Sequence, residues 1–463
     1  MTLAADIHDT RSPMLTAAGD QMIRRLCQHP DAPRFNYATG DRLWPDDLPP
    51  IDAFRAALRQ RSSRSPMPSA DILERVERWR TTVPWMRQHI PTNLQLDSNW
   101  NLLPTTSRAD IALAAWSFVP DDESLERLVI YRTAGTTGHP ITVPHHPLAV
   151  RCYEPMLEFA MSRHNATLEF DDQSVACFLV GAQIRTYTYA TVLYNWNGAG
   201  FAKLNIRPTE WPSNGSQQRY FKEFSPRFLS GDPISFSEMM RMGIEASPAA
   251  LVTTSVAMSP GLKKRLAERY RAPVIDWYSM VETGPIGYAC PMGYGYHLLP
   301  HDLFAEVVNP DGTPTPTGRR GEITITGGRN PLLPLIRYRT GDFGILDHSA
   351  CPCGDPMPRF LELEGRAPVL IRSADGTPVS TVDLSRLLRE FPLLLHEFTQ
   401  HADLACELNV RPLPDVSPDI AAISAALGKV LGNLPLHIHI DSTLGDRQDG
   451  KATPYRSELM LED

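Results

Sequence analysis

Hydroxyls and glycines crowd into one short stretch of this 463-residue chain, YRTAGTTGHPITVP from Tyr131 to Pro144. Thr133, Gly135, Thr136, Thr137 and Gly138 supply side-chain hydroxyls and exposed backbone N–H groups side by side. Glycine lets the main chain approach a ligand closely, and successive N–H groups form a concave nest for anions. That composition suits the phosphates of a nucleotide. The Gly-Lys-Ser/Thr ending of the common P-loop is missing and His139-Pro140 follows instead, so the competing reading is a hydroxyl-rich turn between strands. A second constellation is separable from the first. Cys351-Pro352-Cys353-Gly354 is a tight cysteine pair, and Cys290 and His297 flank a glycine-rich turn upstream. Three thiolates and one imidazole make a closed tetrahedral set of the structural Zn²⁺ type, with no coordination position left open for catalysis. The competing reading is a turn without metal and a cysteine that is simply buried.

Three further segments follow the loop in order: DWYSMVETG (Asp276 to Gly284), IRYRTGDFG (Ile336 to Gly344) and LEGRAPVLI (Leu363 to Ile371). GDRQDGKATPYRSEL, containing Lys451, closes the chain. With these four in register the chain resembles the acyl-adenylate-forming enzymes, and within them the phenylacetate–CoA ligase family, from Leu103 to the C-terminus. Some members of that family show a comparable Cys/His pattern in the same segments.

The resemblance implies activation of a carboxylic acid by ATP: in-line attack on the α-phosphate with pyrophosphate leaving, a reaction catalysed mostly by positioning and charge stabilisation. Thr133, Gly135, Thr136, Thr137 and Gly138 match the loop that holds the β- and γ-phosphates. Glu282 matches the Mg²⁺-binding glutamate, a hard oxygen ligand that suits that ion. Tyr278 matches the tyrosine beside adenine, Asp342 the carboxylate on the ribose hydroxyls, and Arg366 the hinge arginine that reaches the nucleotide. Lys451 matches the lysine that neutralises charge at the α-phosphate and carboxylate, so Lys451 and Glu282 are the expected catalytic pair.

Several residues depart from the family pattern. Ser279 and Val281 stand where glycine and Ser or Thr are usual. Valine offers no hydrogen bond to the α-phosphate, so Ser279 or Thr283 has to substitute. Thr254-Ser255-Val256-Ala257 replaces Gly-Ala-Glu-Pro at the adenine loop, which puts Ser255 at the nucleotide. Ala367-Pro368 follows the hinge arginine in place of an acidic residue, and proline fixes φ at a link that has to rotate for thioester formation. The resemblance places the acyl pocket around Gly181 to Gly200, with Tyr187, Tyr189, Tyr194 and Trp196 as lining candidates, and such aromatics favour a flat or arylalkyl acid. The expected acceptor is coenzyme A. An amine or a carrier protein is the enzymatic alternative, and a nucleotide-binding regulatory protein the non-catalytic one, against which the presence of Lys451 speaks.

These residues need a scaffold, and the patterning supplies one. Ser174 to Val180 and Ala250 to Val256 read as short buried strands, Pro260 to Tyr270 as a helix with proline at its start, and Pro273 to Ser279 as the next strand, a βαβ unit. Parallel sheets place ligands at the carboxyl ends of their strands. Phe304 to Thr326 reads as two alternating strands around an Asn-Pro-Asp-Gly turn. The expected fold class is α/β: a large N-terminal adenylation domain of mixed and parallel sheets, residues 1–365, and a small mobile α+β lid, residues 366–463. Helical patterns at Met14 to Cys27, Ile51 to Gln60 and Ala70 to Met86 mark residues 1–100 as an extension wrapping the large domain. A net charge of -8 argues against nucleic acid as a partner. No apolar run reaches bilayer-spanning length, and seven cysteines without a signal peptide point to a reducing cytoplasm.

Overall fold

The computed structural model describes residues 10–60, 66–132, 141–182, 186–254, 258–365, 371–376, 378–379, 381–445 and 454–459. The chain divides into two compact units, one of Met1–Leu15, Asp41–Thr167 and Trp277–Ala367, the other of Thr16–Gly40, Leu168–Asp276 and Pro368–Asp463.

The first unit is built on an antiparallel sheet. In spatial order its strands are Leu303–Val308, Gly321–Gly327, Leu335–Asp347, Arg359–Gly365, Tyr296–Leu298, Gly284–Ala289 and the Trp277 end of Val274–Met280. The alternating pattern around the Asn-Pro-Asp-Gly turn is the hairpin at one edge, with Phe304 opposite Thr326 and Val308 opposite Glu322. The Gly312 N–H donates to the Asn309 carbonyl at 2.9 Å, and Gly312 takes the positive φ that the turn requires. A separate two-stranded ribbon pairs Val129–Arg132 with Thr142–His145, Val129 opposite His145 and Arg132 opposite Thr142.

Helices Ala70–Thr82 and Pro84–His89 cover part of this sheet. Ile72, Val76, Trp79, Trp85 and Met86 share one buried cluster with Trp100, Ile336 and Tyr338. The helical pattern over Ala70 to Met86 is therefore two helices. Val83 leaves helical geometry and Pro84 opens the second segment, because proline has no N–H to continue the ladder and disfavours helix in the residue before it.

The second unit carries a mainly parallel sheet in the order Tyr189–Leu193, Ala199–Asn205, Val175–Gly181, Phe228–Gly231, Ala250–Thr253 and the Val274 end of the strand that crosses into the first unit. Val175–Gly181 is apolar along its length and buried on both faces, as a central parallel strand must be. The predicted βαβ unit is present. Ala250–Thr253 and Val274–Met280 pair in parallel, and helix Pro260–Tyr270 joins them, burying Leu262, Leu266 and Tyr270. Its N-cap, Ser259, accepts from the Leu262 N–H. Toward the C-terminus a four-stranded sheet, ordered Leu436–Ile440, Cys406–Pro412, Leu393–Gln400 and Tyr455–Ser457, packs on helices Thr381–Leu388 and Ile420–Leu431. Its core of Ile371, Phe398, Leu408, Ile423 and Leu427 closes on itself. The fold is α/β with a mixed sheet and a small α+β portion at the C-terminal end. No helix among the described residues is long and apolar enough to cross a membrane.

Candidate active site and a cysteine–histidine cluster

Glu282 sits in the turn between Val274–Met280 and Gly284–Ala289, and is only 3% exposed. A buried carboxylate is costly unless it is paired, and two partners meet it. The Tyr338 hydroxyl donates to Glu282 Oε1 at 2.8 Å, and the Arg108 guanidinium reaches the same oxygen at 3.2 Å. Burial beside that carboxylate pushes the Tyr338 phenol well up, so it stays a donor. Arg108 is carried there by its neighbour Thr106, whose N–H and C=O bond to Arg337 and Arg339 alongside Tyr338. Ser107 and Asp110 then cap the helix that starts at Arg108. Gly284, just past Glu282, has φ +72, and a Cβ there would lie 2.9 Å from the Tyr153 hydroxyl.

Asp342 lies in a bulge. Between Glu322–Phe343 and Thr324–Arg339 the Gly321–Gly327 strand advances two residues while its neighbour advances four, so Thr340-Gly341-Asp342 bows out opposite Ile323. The bow is pinned at three points. Thr340 Oγ1 donates to the Ile323 carbonyl at 2.8 Å, the Asp342 N–H donates to Thr340 Oγ1 at 3.1 Å, and the Gly341 N–H donates to Glu322 Oε1 at 3.1 Å. Gly341 has φ +75, a conformation glycine adopts without strain. This geometry brings the Asp342 Oδ2 to 2.8 Å from the Tyr278 hydroxyl. Burial, with Asp342 beside it, raises the Tyr278 phenol well above its ordinary value. Two hydrogen-bonded pairs, Tyr278 with Asp342 and Tyr338 with Glu282, each tie residues 274–282 to the Leu335–Asp347 strand, about 60 residues later in the chain.

A clamp holds the Thr142–His145 ribbon to the Glu282 turn. His145 is 2% exposed, its Nε2 bonds to the Val281 carbonyl at 2.8 Å, and its ring stands edge-on to Tyr131. Burial lowers His145 from 6.5 to about 4, so the ring is neutral near pH 7 and Nε2 is the protonated nitrogen that donates. Nδ1 has no hydrogen-bond partner among the described residues. Asn330 adds a second tie, donating to the Pro144 carbonyl at 2.8 Å and accepting from the His146 N–H at 3.2 Å. The two ends of the Thr/Gly-rich segment, Arg132 and Ile141, are therefore fixed by paired strands and a buried histidine.

Thr133, Gly135, Thr136, Thr137, Gly138, Ser255, Arg366 and Lys451 lie outside the described residues. Of the two hydroxyls proposed to stand in for Val281, Thr283 is buried and donates to the Gly284 carbonyl at 3.0 Å. Ser279 is half-buried on the strand. Val281 itself is 40% exposed at the tip of the turn. In the second unit Tyr187 and Tyr189 gather around Tyr37, with ring centroids 5.1 and 6.4 Å away. Tyr194 accepts from the Thr16 N–H at 2.6 Å, and Trp196 is 3% exposed, stacked on Phe170 at 4.6 Å. Trp196 therefore sits in the packed interior. Tyr338, Arg108 and His145 were not singled out from sequence. Tyr338 lies inside the Ile336–Gly344 segment, but nothing in its spacing distinguishes it from a core tyrosine.

Cys290, His297, Cys351 and Cys353 come together, with one donor atom from each within 4.8 Å of all the others. Cys290 follows Gly284–Ala289, His297 lies in the next strand, and the other two sit in the loop before Arg359–Gly365. The Sγ atoms of Cys290 and Cys351 are 3.7 Å apart, far beyond a disulfide bond of about 2.05 Å. Zinc–sulfur bonds of about 2.3 Å at tetrahedral angles separate two sulfurs by roughly 3.8 Å, close to what is observed. Cys353 Sγ lies 3.2 Å from His297 Nε2, while His297 Nδ1 bonds to the Met357 carbonyl at 3.0 Å. That carbonyl fixes Nδ1 as the protonated nitrogen and leaves Nε2 with its lone pair toward the sulfurs, as a metal-binding histidine requires. Burial, with Cys351 and Cys290 beside it, pushes the Cys353 thiol up to about 12, and burial, with Arg359 and Arg163 nearby, holds the His297 imidazole below its ordinary value. Around the set, Asp355 accepts from the Tyr288 hydroxyl and pairs with Arg163 at 3.2 Å, and its N–H reaches Cys353 Sγ. The donor set suits a tetrahedral divalent ion with thiolate affinity.

No family model matches the chain. Among curated proteins it is 26% identical over 195 residues to a phenylacetate–coenzyme A ligase of Thermus thermophilus, across 39% of this chain and 44% of that one. A phenylacetate–coenzyme A ligase of Escherichia coli is 27% identical over 161 residues, 31% of this chain and 37% of that one. The chain spans less than half the length of these curated relatives in the matched regions. Among solved structures it is similar to 2-hydroxyisobutyryl-CoA ligase in the postadenylation state with R3-HIB-AMP, at TM-score 0.61 and 17% identity over 85% of this chain and 90% of that one. An open conformation of that ligase with 2-HIB-AMP and CoA gives TM-score 0.53 and 16% identity. At such identities the structural likeness is one of fold. The chain resembles the acyl-adenylate-forming superfamily in fold, and the phenylacetate–CoA ligases in sequence.

Proposed function

We propose that this chain, which has the fold of acyl-adenylate-forming ligases, activates a carboxylic acid with ATP as an acyl-adenylate and transfers the acyl group to coenzyme A. The observation that carries the reading is the pair of 2.8 Å hydrogen bonds, Tyr278 to Asp342 and Tyr338 to Glu282, that tie these two segments together. Side chains from two distant segments, each read independently as touching the nucleotide, form one buried polar patch. Asp342 offers a carboxylate to vicinal ribose hydroxyls, Tyr278 a flat face to adenine, and the buried Glu282 a hard anionic oxygen. Glu282 would hold Mg²⁺ together with substrate phosphates, the usual division of ligands for that ion, and the ion would supply charge neutralisation there. Arg108 pairs with Glu282 at 3.2 Å in the described geometry. Ser279, whose hydroxyl makes no bond among the described residues, is the donor assigned to the α-phosphate in place of Val281. The Thr133–Gly138 loop, held at both ends by the ribbon, grips the β- and γ-phosphates, and Lys451 neutralises charge at the reacting carboxylate. Tyr187 and Tyr189, with Tyr37, are the surfaces assigned to an aromatic acid, a class that the phenylacetate-specific names of the relatives support. Cys290, His297, Cys351 and Cys353 hold a structural Zn²⁺ that locks three strand ends together and takes no part in the reaction.

Ala367-Pro368 favours a second reading of the acceptor. A proline at the hinge restricts the rotation that thioester formation requires, which favours an amine or a carrier thiol as the final nucleophile. The test is acid-dependent exchange of labelled pyrophosphate into ATP, screened over aryl and arylalkyl acids. Exchange is expected with at least one acid and is expected to vanish in Lys451→Ala at an unchanged melting temperature. Exchange that survives Lys451→Ala removes that lysine from the mechanism; no exchange with any acid removes the adenylation reading.

A further inference from the structure

Lys451, the lysine assigned to the reacting carboxylate, stands in sequence between two fixed points of the C-terminal sheet. Before it, Leu444 is buried and its carbonyl accepts from the Arg411 guanidinium at 3.1 Å. After it comes strand Tyr455–Ser457, which lies parallel to Leu393–Gln400 with Tyr455 opposite Phe398. The two anchors are unequal. Lys451 follows Leu444 by seven residues and precedes Tyr455 by four. At ~3.5 Å per residue those lengths of chain reach at most ~25 Å and ~14 Å, so Tyr455 confines the lysine more tightly. The strand that carries this closer anchor has only three residues and lies at the edge of its sheet. Of the three, Tyr455 alone is buried, its ring 6.3 Å from that of Phe398 in the C-terminal core. Its hydroxyl meets two side chains there: Ser385 Oγ, on helix Thr381–Leu388, at 2.7 Å, and His396 Nε2 at 3.0 Å. Burial, with Arg389 nearby, lowers His396 from 6.5 to about 4, so the imidazole is neutral near pH 7. A phenol both donates and accepts, so it serves the two partners at once. Helix, sheet and edge strand meet at one oxygen.

We propose that Tyr455 is a positioning residue for acyl-adenylate formation: its hydroxyl, bonded to Ser385 and His396, sets the point from which Lys451 reaches the reacting carboxylate. The proposal rests on the assignment of Lys451 in the proposed function. Apolar burial is non-directional and holds a short edge strand in the core without fixing where along the core it sits. Hydrogen bonds are directional, and two of them on one hydroxyl fix that position. Pro454, between the lysine and the anchor, has a locked φ and passes a displacement of Tyr455 on to the residues before it. Precision is what the lysine needs. Its charge counts in the transition state, and a misplacement of about 1 Å can cost on the order of 100-fold in rate. Tyr455 itself touches no reacting atom and acts only through the chain that joins it to Lys451.

The test compares the full chain with Tyr455→Phe, which keeps the ring and removes the hydroxyl, and with Ser385→Ala and Lys451→Ala. Acid-dependent pyrophosphate exchange is measured with the acid that gives the fastest wild-type rate. Tyr455→Phe should lower kcat about tenfold and change the KM for ATP less than about twofold, because the lysine acts in the transition state. Ser385→Ala should lower kcat in the same direction, and it decides if Tyr455→Phe fails to fold. A second readout is independent of turnover: acetylation of Lys451 by an N-hydroxysuccinimide ester, followed by mass spectrometry. ATP with the acid should protect Lys451 in wild type and should fail to protect it in Tyr455→Phe. A tyrosine with a merely structural role would lower the melting temperature and leave both kcat and this protection at wild-type values, and that result overturns the proposal. Exchange lost in Lys451→Ala but unchanged in Tyr455→Phe overturns the positioning role alone. Exchange absent from wild type, or surviving Lys451→Ala, removes the reading of Lys451 and the proposal with it.

Discussion

His145 makes the Glu282 turn sensitive to acid by an amount that follows from its burial. Its imidazole falls from an ordinary 6.5 to about 4 because the charged form would be buried, with no acceptor for a proton on Nδ1 among the described residues. A group whose folded value is depressed favours the deprotonated state in the fold. Its stabilising contribution is whole above pH 6.5, where both states are neutral, and is lost as the unfolded chain takes up the proton between pH 6.5 and 4. A shift of this size is worth about 3 kcal/mol when complete and about 2 kcal/mol at pH 5. Glutamine at this position presents an amide N–H where the imidazole Nε2 donates to Val281, and it does not titrate. Urea unfolding of wild type and His145→Gln, followed by tryptophan fluorescence at pH 7.5 and pH 5, isolates the effect, because contributions from His297, His396 and the other histidines cancel in the comparison. Wild type should lose about 2 kcal/mol more than His145→Gln between the two pH values. Equal losses in the two proteins would refute the assignment of a neutral, buried His145 as the clamp.

Tyr338→Phe keeps the ring in its core but removes the donor to a buried carboxylate; the expected cost is about 2 kcal/mol in urea unfolding, with at least a tenfold fall in pyrophosphate exchange. An unchanged exchange rate would show that Glu282 does not need this partner. Purified chain prepared without chelator should carry about one zinc, and Cys351→Ser should release it and lower the melting temperature, since binding a structural metal is folding energy; metal analysis without zinc would remove the site. Coenzyme A turnover should be slower than pyrophosphate exchange, and Pro368→Ala should speed the thioester step while leaving exchange alone. Thioester formed by wild type as fast as pyrophosphate would discard the hinge argument.

Ordered motifs and local patterning carried much of the architecture. The βαβ unit, the hairpin around Asn309 to Gly312 and helix Pro260–Tyr270 are dictated by short-range chemistry: a proline at a helix start, a glycine in a turn, apolar residues four apart. The grouping of Cys290, His297, Cys351 and Cys353 was also legible, because so few side chains bind soft metals that their co-occurrence is informative. What was hidden depends on distance along the chain. Arg108 meets Glu282 only because Thr106 pairs beside Tyr338, more than 200 residues later, and no spacing rule reaches so far. Tyr338 looked like any core aromatic until Glu282 was found under its hydroxyl. Trp196 illustrates the opposite case: the aromatic density that suggests a pocket is also what a packed interior contains. Ala70 to Met86 read as one helix because apolar periodicity continues through Pro84, whereas the backbone cannot.

The bow at Thr340-Gly341-Asp342 also limits how this part of the chain can diverge. Paired residues lie on both sides of it, Arg339 with Thr324 before and Phe343 with Glu322 after, so its length is set by two fixed registers. Removing or adding one residue there would slide the Phe343–Asp347 segment by one position against both neighbouring strands and turn every side chain to the opposite face. Ile345 and Leu346 would exchange surroundings, and the pairings to Leu361 and Phe360 would fail together. Variation at this loop is therefore confined to residue identity, and its length is as much a part of the site as the carboxylate it carries.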